Sequence, residues 1–320
     1  MPSEAPALVA PDSFKGTIPA ADAAAAIAAG LRAGGREAIE LPLGDGGEGT
    51  MDALLAARGG SLREAEVSDP LGRPVTARYA VLDDGTAVVE AAQASGLALL
   101  AESELDPWNT SSRGTGELIA ATGAQDVLVA VGGTATMDGG AGAVEALQEA
   151  GFDGSITAIC DVRTPWEDAP RVFGPQKGAD PACVKRLEHR FATLAQKAPR
   201  DPRGEPNTGC AGGLSGGLWA WLGVRLVPGA AFVLDEVGFD GRMRAARFVV
   251  TGEGRLDEQT LAGKLVGEVA TRCRQAGVGC HAVVGRDALD PFLVRLLDLA
   301  SVREAGDVRA LRQAGRELAG

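Results

Sequence analysis

Four glycine-rich stretches carry the residues that could do chemistry: GDGGEG (44–49), GGTATMDGGAG (132–142), GCAGGLSGG (209–217) and GEGRLDEQTLAG (252–263). Together they hold more than a third of the chain's 45 Gly. Acidic residues recur beside the glycines at Asp45, Glu48, Asp138, Glu253 and Asp257. Single cations stand near them at Lys15, Lys177, Arg255 and Lys264. Such alternation at loop tips suits phosphoryl transfer. That reaction needs Mg2+ held by one or two carboxylates, with cations and backbone N–H groups around the phosphates. It also needs a carboxylate that orients or deprotonates the attacking hydroxyl. Glycine lets backbone N–H groups converge on a ligand, and a helix N-terminus favours an anion. One loop of this kind is ordinary turn chemistry, since Asp and Gly are common turn formers. Four loops of the same composition favour a site.

Two nucleotide fingerprints can be weighed directly. Gly44, Gly46 and Gly49 match G-x-G-x-x-G after an apolar segment, with Asp69 about twenty residues on, as a dinucleotide fold requires. Asp45 and Glu48 inside that loop are a poor lining for a pyrophosphate, so an NAD-dependent oxidoreductase is the runner-up. A Walker A loop is absent, because Gly263-Lys264 is followed by Leu265.

Around these loops the pattern is that of an α/β protein. Ala7–Ala10 and Ala38–Leu43 read as short buried strands. The Ala-rich run from Pro19 to Ala33 and Met51–Ala57 read as helices. The character then changes: Leu62–Val67, Val75–Leu82 and Thr86–Ala91 read as strands, with Asp83-Asp84-Gly85 as a hairpin signal. Asp69-Pro70-Leu71-Gly72 reads as a turn near a domain boundary. Strand–helix units return with the helix Thr115–Ala121, the strand Asp126–Val131, the helix Gly140–Ala150 and the strand Ile156–Cys160. Helices over Pro181–Lys197 and Leu214–Leu222 follow. The final block, strand Arg247–Thr251, helix Lys264–Gln275 and strand His281–Val284, repeats the style of the first. The expectation is therefore two domains: a Rossmann-like parallel sheet from both chain ends, 1–66 and 245–320, and an inserted mixed α/β domain, 67–244.

Composition excludes several classes. The net charge of −12 and the absence of Lys/Arg runs argue against nucleic acid and anionic lipid as partners. No apolar window is long enough for a membrane span, and the N-terminus lacks the marks of a signal peptide. Five Cys without a C-x-x-C pair make a disulfide framework or zinc site improbable, and a reducing cytoplasm fits. Only His189 and His281 are available, which argues against most His-based triads.

Seven motifs then carry a resemblance. APDSFKGT (10–17), DGGEGT (45–50), DPLGRPV (69–75), VGGTATMDGG (131–140), VFGPQKGA (172–179), CAGGLSGGL (210–218) and TGEGRLDEQTLAGK (251–264) resemble the type 1 glycerate kinase family in order and spacing. The resemblance implies ATP- and Mg2+-dependent phosphorylation of glycerate, 2-phosphoglycerate being favoured over 3-phosphoglycerate. It also implies two α/β domains with the site in the cleft between them, small-molecule partners only, and a monomer or homodimer. The chain departs from the family pattern at Met137, Thr164 and Gly44, and it is shortened after Ala150. A non-catalytic ligand-binding relative is the third reading.

With the resemblance, the residues take expected roles. Lys15 is a cation for the glycerate carboxylate or a transferring phosphate. Asp45 is the first choice for the base or a metal carboxylate, and Asp138 is the competing base. Lys177, Lys264 and Arg255 meet anionic groups. Ser13, Gly46, Gly47, Gly132, Gly133, Thr134, Gly212 and Gly213 line the substrate and phosphates. Glu253 and Asp257 supply metal ligands, and Asp161 is a metal ligand or a turn residue. Thr110, Ser111 and Ser112 read as helix caps, and Cys210 as a small packing residue.

Overall fold

The first strand among the described residues, β1 (Ala7–Pro11), has five residues and is buried throughout. Such a run belongs at the centre of a parallel sheet covered on both faces. The computed structural model describes residues 5–14, 16–261 and 264–320. After β1 come α1 (Ala20–Ala33), β2 (Ala38–Glu40) and α2 (Thr50–Arg58). Then come β3 (Gly60–Ser68), β4 (Pro74–Leu82), β5 (Ala87–Glu90), α3 (Ala92–Ser95) and α4 (Arg113–Ala121). β6 (Asp126–Ala130), α5 (Ala141–Glu149), β7 (Ser155–Cys160), α6 (Ala169–Phe173), α7 (Pro181–Lys197), α8 (Cys210–Leu222) and β8 (Arg225–Pro228) complete the middle. The last part contains α9 (Gly229–Glu236), α10 (Phe239–Ala245), β9 (Phe248–Glu253), α11 (Glu258–Leu261) and α12 (Leu265–Ala276). It ends with β10 (Gly279–Val284), α13 (Pro291–Leu296), β11 (Ser301–Glu304) and α14 (Val308–Leu318).

The chain divides into two compact units, one from the residues up to Asp45 with Ala230–Gly320, the other Gly46–Gly229. The discontinuous arrangement is the one expected, but both boundaries fall earlier than 66/67 and 244/245. The reason is pairing. β3 pairs along its whole length with β4, from Gly60↔Leu82 to Ser68↔Pro74, so it belongs to the second unit. α9 and α10 stay with the first unit, where Arg272 of α12 bonds Asp235, Asp240 and the Ala231 carbonyl. The Asp69 turn therefore lies inside the second unit.

The first unit is a five-stranded, all-parallel sheet ordered β11-β10-β9-β1-β2. From β1 the chain winds outward to β2 on one side; from β9 it winds outward to β10 and β11 on the other. The strand order reverses between β1 and β9, and ligands of open α/β sheets bind at the carboxyl ends of strands at such a point. α1 and α14 cross closely. A Cβ on Gly30 would lie 2.0 Å from the Arg312 carbonyl oxygen, so only Gly permits the approach. Ile27, Leu31 and Leu311 fill the core beneath.

The second unit is a six-stranded mixed sheet ordered β3-β4-β5-β6-β7-β8. β3, β4 and β5 are antiparallel neighbours, and β5 to β8 are parallel. Its edge strand β3 is charged and mostly exposed, carrying Arg63, Glu64 and Glu66, which discourages edge-to-edge pairing. Leu118, Val127, Val129, Leu147, Leu214 and Leu218 form the core. α8 begins four residues before the expected Leu214, but Ala211, Gly212 and Gly213 there have left-handed backbone.

Candidate active site

The first unit's topology concentrates polar side chains at one end of its sheet. Asp12, Ser13, Asp45, Glu253, Asp257 and Lys264 are among the residues around a cavity of about 440 Å³, with Arg255 and Arg286 on its wall. Asp12 and Ser13 follow β1, and Glu253 ends β9, so the cavity sits at the reversal point. The strand ends are tied by the Asp12 amide, which donates to the Gly252 carbonyl at 2.8 Å. Asp12 Oδ1 accepts the Ser13 amide at 2.7 Å. Ser13 Oγ is buried with no hydrogen-bond partner among the described residues, a hydroxyl available to a ligand. Asp45 is 2% exposed.

Glu253 is also buried, and Oε1 accepts the Thr260 hydroxyl at 2.7 Å. Burial raises its carboxyl to about 7. The Thr260 bond and Lys264 oppose that shift, while Asp45 and Asp257 add to it. A buried Glu253 that faces the Asp45 and Asp257 carboxylates beside one lysine is a setting in which a cation relieves repulsion. No cluster of three or more His, Cys, Asp or Glu with metal-ligand geometry occurs among the described residues. Arg255 is exposed and pairs with Asp257 at 3.2 Å. Lys264 stands at the N-cap of α12. Lys15 lies outside the described residues.

In the second unit the predicted site residues are engaged in holding backbone. Asp138 Oδ2 accepts the Ser112 amide and hydroxyl, both at 2.8 Å, and the Gly142 amide at 3.2 Å, while Oδ1 accepts the Gly140 amide. It is the cap of α5 and the tie to α4, with its lone pairs largely committed. Ser112 differs from the expected cap role. Its hydroxyl bonds Asp138 and accepts the Ala143 amide of α5, and it makes no side-chain bond to its own helix. Beside Asp138 a second cavity of about 710 Å³ runs between α5 and α7, walled by Trp108, Arg190, Leu194 and Trp221. Asp138 is its only predicted site residue.

Lys177 is 3% exposed, and its ammonium donates to Thr134 Oγ1 at 3.2 Å and the Thr136 carbonyl at 2.8 Å. Burial pushes it down to about 7, opposed by Asp161 and Asp138. A Cβ on Gly132 would approach Gly47 Cα at 2.7 Å and Asp161 Oδ2 at 3.2 Å. The Gly132 amide donates to the Gly46 carbonyl at 3.0 Å, so these two loops pack on each other. Gly133 is exposed. Gly212 has φ +66, and a Cβ there would lie 1.9 Å from the Thr136 carbonyl oxygen; Gly213 abuts Phe191 and Gly139. These two glycines serve close packing. Cys210 is buried and bonds the Val162 carbonyl, in keeping with a packing role.

The structure thus gathers Ser13, Asp45, Glu253, Arg255, Asp257 and Lys264 around one cavity. It places Gly46, Gly47, Gly132, Gly133, Thr134, Asp138, Asp161, Lys177, Gly212 and Gly213 in the other unit. Sequence reasoning passed over Asp12, Arg286 and Glu90. Asp12 lay within a quoted motif. Glu90 had a signal too, as an acid ending the buried run AVVE. Asp69, the acid that the dinucleotide reading needs, spends its oxygens on its own turn, at Leu71 and Arg73.

Comparison with known proteins decides the family. The model described as the glycerate kinase family matches residues 7–155 and 148–304. The chain belongs to the glycerate kinase family. It is 35% identical over 351 residues to the glycerate 2-kinase of Escherichia coli strain K12, covering 93% of this chain and 92% of that one. It is 36% identical to the glycerate kinase of Haemophilus influenzae, covering 94% of each. A crystal structure from Salmonella typhimurium LT2, provisionally named glycerate kinase 2, aligns with a TM-score of 0.80 and 31% identity. That alignment covers 99% of this chain and 98% of that one. Membership makes the chain an enzyme of the kinase class, on the two-unit α/β fold that the motifs implied. No helix among the described residues is long and apolar enough to cross a membrane.

Proposed function

We propose that the enzyme transfers the γ-phosphoryl group of ATP, with Mg2+, to the 2-hydroxyl of glycerate. The supporting observation is the cavity at the β1/β9 reversal, lined by a buried Asp45, by Lys264 and by a Ser13 hydroxyl with no partner among the described residues. Asp45 accepts the proton of the attacking hydroxyl as its oxygen bonds the γ-phosphorus and the bond to ADP breaks. Ser13 Oγ, on a residue whose amide Asp12 holds, orients the substrate. Lys264 and Arg286 carry the charge that suits phosphate and carboxylate oxygens. Glu253 and Asp257 are the residues that would hold Mg2+, which when bound neutralises the charge on the phosphate oxygens. The reading places the enzyme in the cytoplasm, supported by five Cys that are all unpaired.

A coupled assay with ATP, Mg2+ and D-glycerate tests this, with carbon-selective NMR of the product. ATP-dependent turnover with phosphate on C2 is the expected result. Phosphate on C3 contradicts the regiochemistry. Ligand binding without turnover contradicts the catalytic reading, and NAD(H) binding without ATP use contradicts the kinase chemistry.

A further inference from the structure

Glu90 is a buried acid that the mechanism above does not use. It closes β5, is 5% exposed, and accepts the Met51 amide on Oε1 at 3.0 Å across 39 residues of chain. α2 needs that bond. The first turn of a helix leaves amides without intrahelical partners, and the N-cap position here is Gly49, which has no side chain to offer. The Gly49 amide also favours the charged form of Glu90. The chain therefore caps this helix from a neighbouring strand with a glutamate side chain, where a local Ser or Thr would serve an ordinary helix.

The loop in front of the helix is held as well. The Gly46 amide donates to Thr50 Oγ1 at 3.0 Å, and the Gly46 carbonyl accepts the Gly132 amide. Gly46 has φ +103, and a Cβ there would lie 2.8 Å from the Ile159 carbonyl oxygen, so the turn leaves little freedom. Gly46–Thr50 is thus pinned at one end by Gly132 and at the other by Glu90. Asp45 is joined to that segment by one peptide bond.

Burying a carboxylate is costly unless hydrogen bonds and a favourable dipole compensate. The amides and the α2 N-terminus supply that compensation. Burial still raises Glu90 to about 7, with Asp52 and Glu48 adding repulsion. A group kept at that cost is suited to fixing geometry.

We propose that Glu90 is a positioning residue: its buried carboxylate sets the course of Gly46–Thr50 and thereby the placement of the Asp45 carboxylate for phosphoryl transfer. The kinetic side of this statement rests on the function proposed above; the anchoring side does not. The test uses Glu90→Ala and Glu90→Gln in the full chain. Amide hydrogen exchange of Gly49, Thr50 and Met51 should speed by about tenfold or more in Glu90→Ala, relative to amides of β6 and β7. Its kcat should fall on the order of 10²-fold with KM for D-glycerate within about threefold, since small misplacements cost that much. Glu90→Gln keeps one acceptor and should fall between. A purely structural role would lower the melting temperature while leaving kcat of the folded fraction unchanged, and that outcome overturns the proposal. So does unchanged exchange at Gly49–Met51. Where Glu90→Ala does not fold, Glu90→Gln carries both readouts. Altered exchange in a wild-type background that shows no turnover supports the anchoring and overturns the kinase reading alone.

Discussion

The two units use the same vocabulary of acid, lysine and glycine to opposite ends. In the first, Asp45, Glu253, Asp257 and Lys264 face a cavity, and Ser13 keeps an unspent hydroxyl. In the second, the buried Lys177 and Glu90 and the half-buried Asp138 bond amides, hydroxyls and carbonyls. Gly212 beside them sits where a side chain would strike the Thr136 backbone. A polar loop residue is therefore read by where its hydrogen bonds go. Those that end on the protein's own backbone build the scaffold, and those left facing space are available to a ligand.

The comparison can be broken at several points. Lys264→Met, in the first unit, should lower kcat/KM on the order of 10²–10³-fold, the usual loss for a cation stabilising transferred charge, with an unchanged urea midpoint. A shifted midpoint with intact turnover would make Lys264 a scaffold residue. The next test sets one glycine against another. Gly212→Ala should destabilise by about 3 kcal/mol or more, because left-handed backbone and a 1.9 Å contact with Thr136 combine. Gly306→Ala, on the first unit's cavity wall, meets open space and should stay within about 0.5 kcal/mol. Equilibrium unfolding of both variants checks this.

Lys177 gives a pH-dependent contrast. Its folded value of about 7 lies below the ordinary 10.5. Between those values the unfolded chain binds a proton that the folded chain does not, so stability rises with pH through that window. The wild type should therefore gain on Lys177→Met between pH 7 and pH 9.5 in urea unfolding. A flat difference would show that Lys177 keeps its proton when buried. The smallest effect is expected at Arg73, an exposed residue paired with Asp69 and Glu104. Arg73→Ala should cost no more than about 1 kcal/mol, read by the same method.

The parallel-sheet parts of the fold were legible because their strands are short apolar runs closed by Gly or Pro. β1, β6, β7 and β10 fall within a few residues of expectation, and α7 falls on Pro181–Lys197 itself. The boundary at Asp45 was not legible. Whether β3 pairs with β4 or starts a new domain depends on partners far along the chain. β8, β11 and the helices α9, α10 and α13 are short and were passed over; α14 was passed over despite an amphipathic pattern and the N-cap Asp307. The site was legible as a list and not as a map. Composition marked Asp45 and Asp138 alike; the structure sets Asp45 on the first unit's cavity and commits Asp138 to Ser112, Gly140 and Gly142. Glu90 was overlooked because its partner, the Met51 amide, is a backbone group 39 residues away, which no local pattern records.

The most direct test compares Asp45→Asn with Asp138→Asn, measuring kcat and unfolding free energy on the same preparations. Asp45→Asn should lose on the order of 10²–10⁴ in kcat, as for a removed base. It should keep its stability within about 0.5 kcal/mol. Asp138→Asn should lose about 1–3 kcal/mol of stability through its broken cap bonds and retain most of its turnover when folded. Near-wild-type turnover in Asp45→Asn, with catalysis abolished in a fully stable Asp138→Asn, would contradict the account.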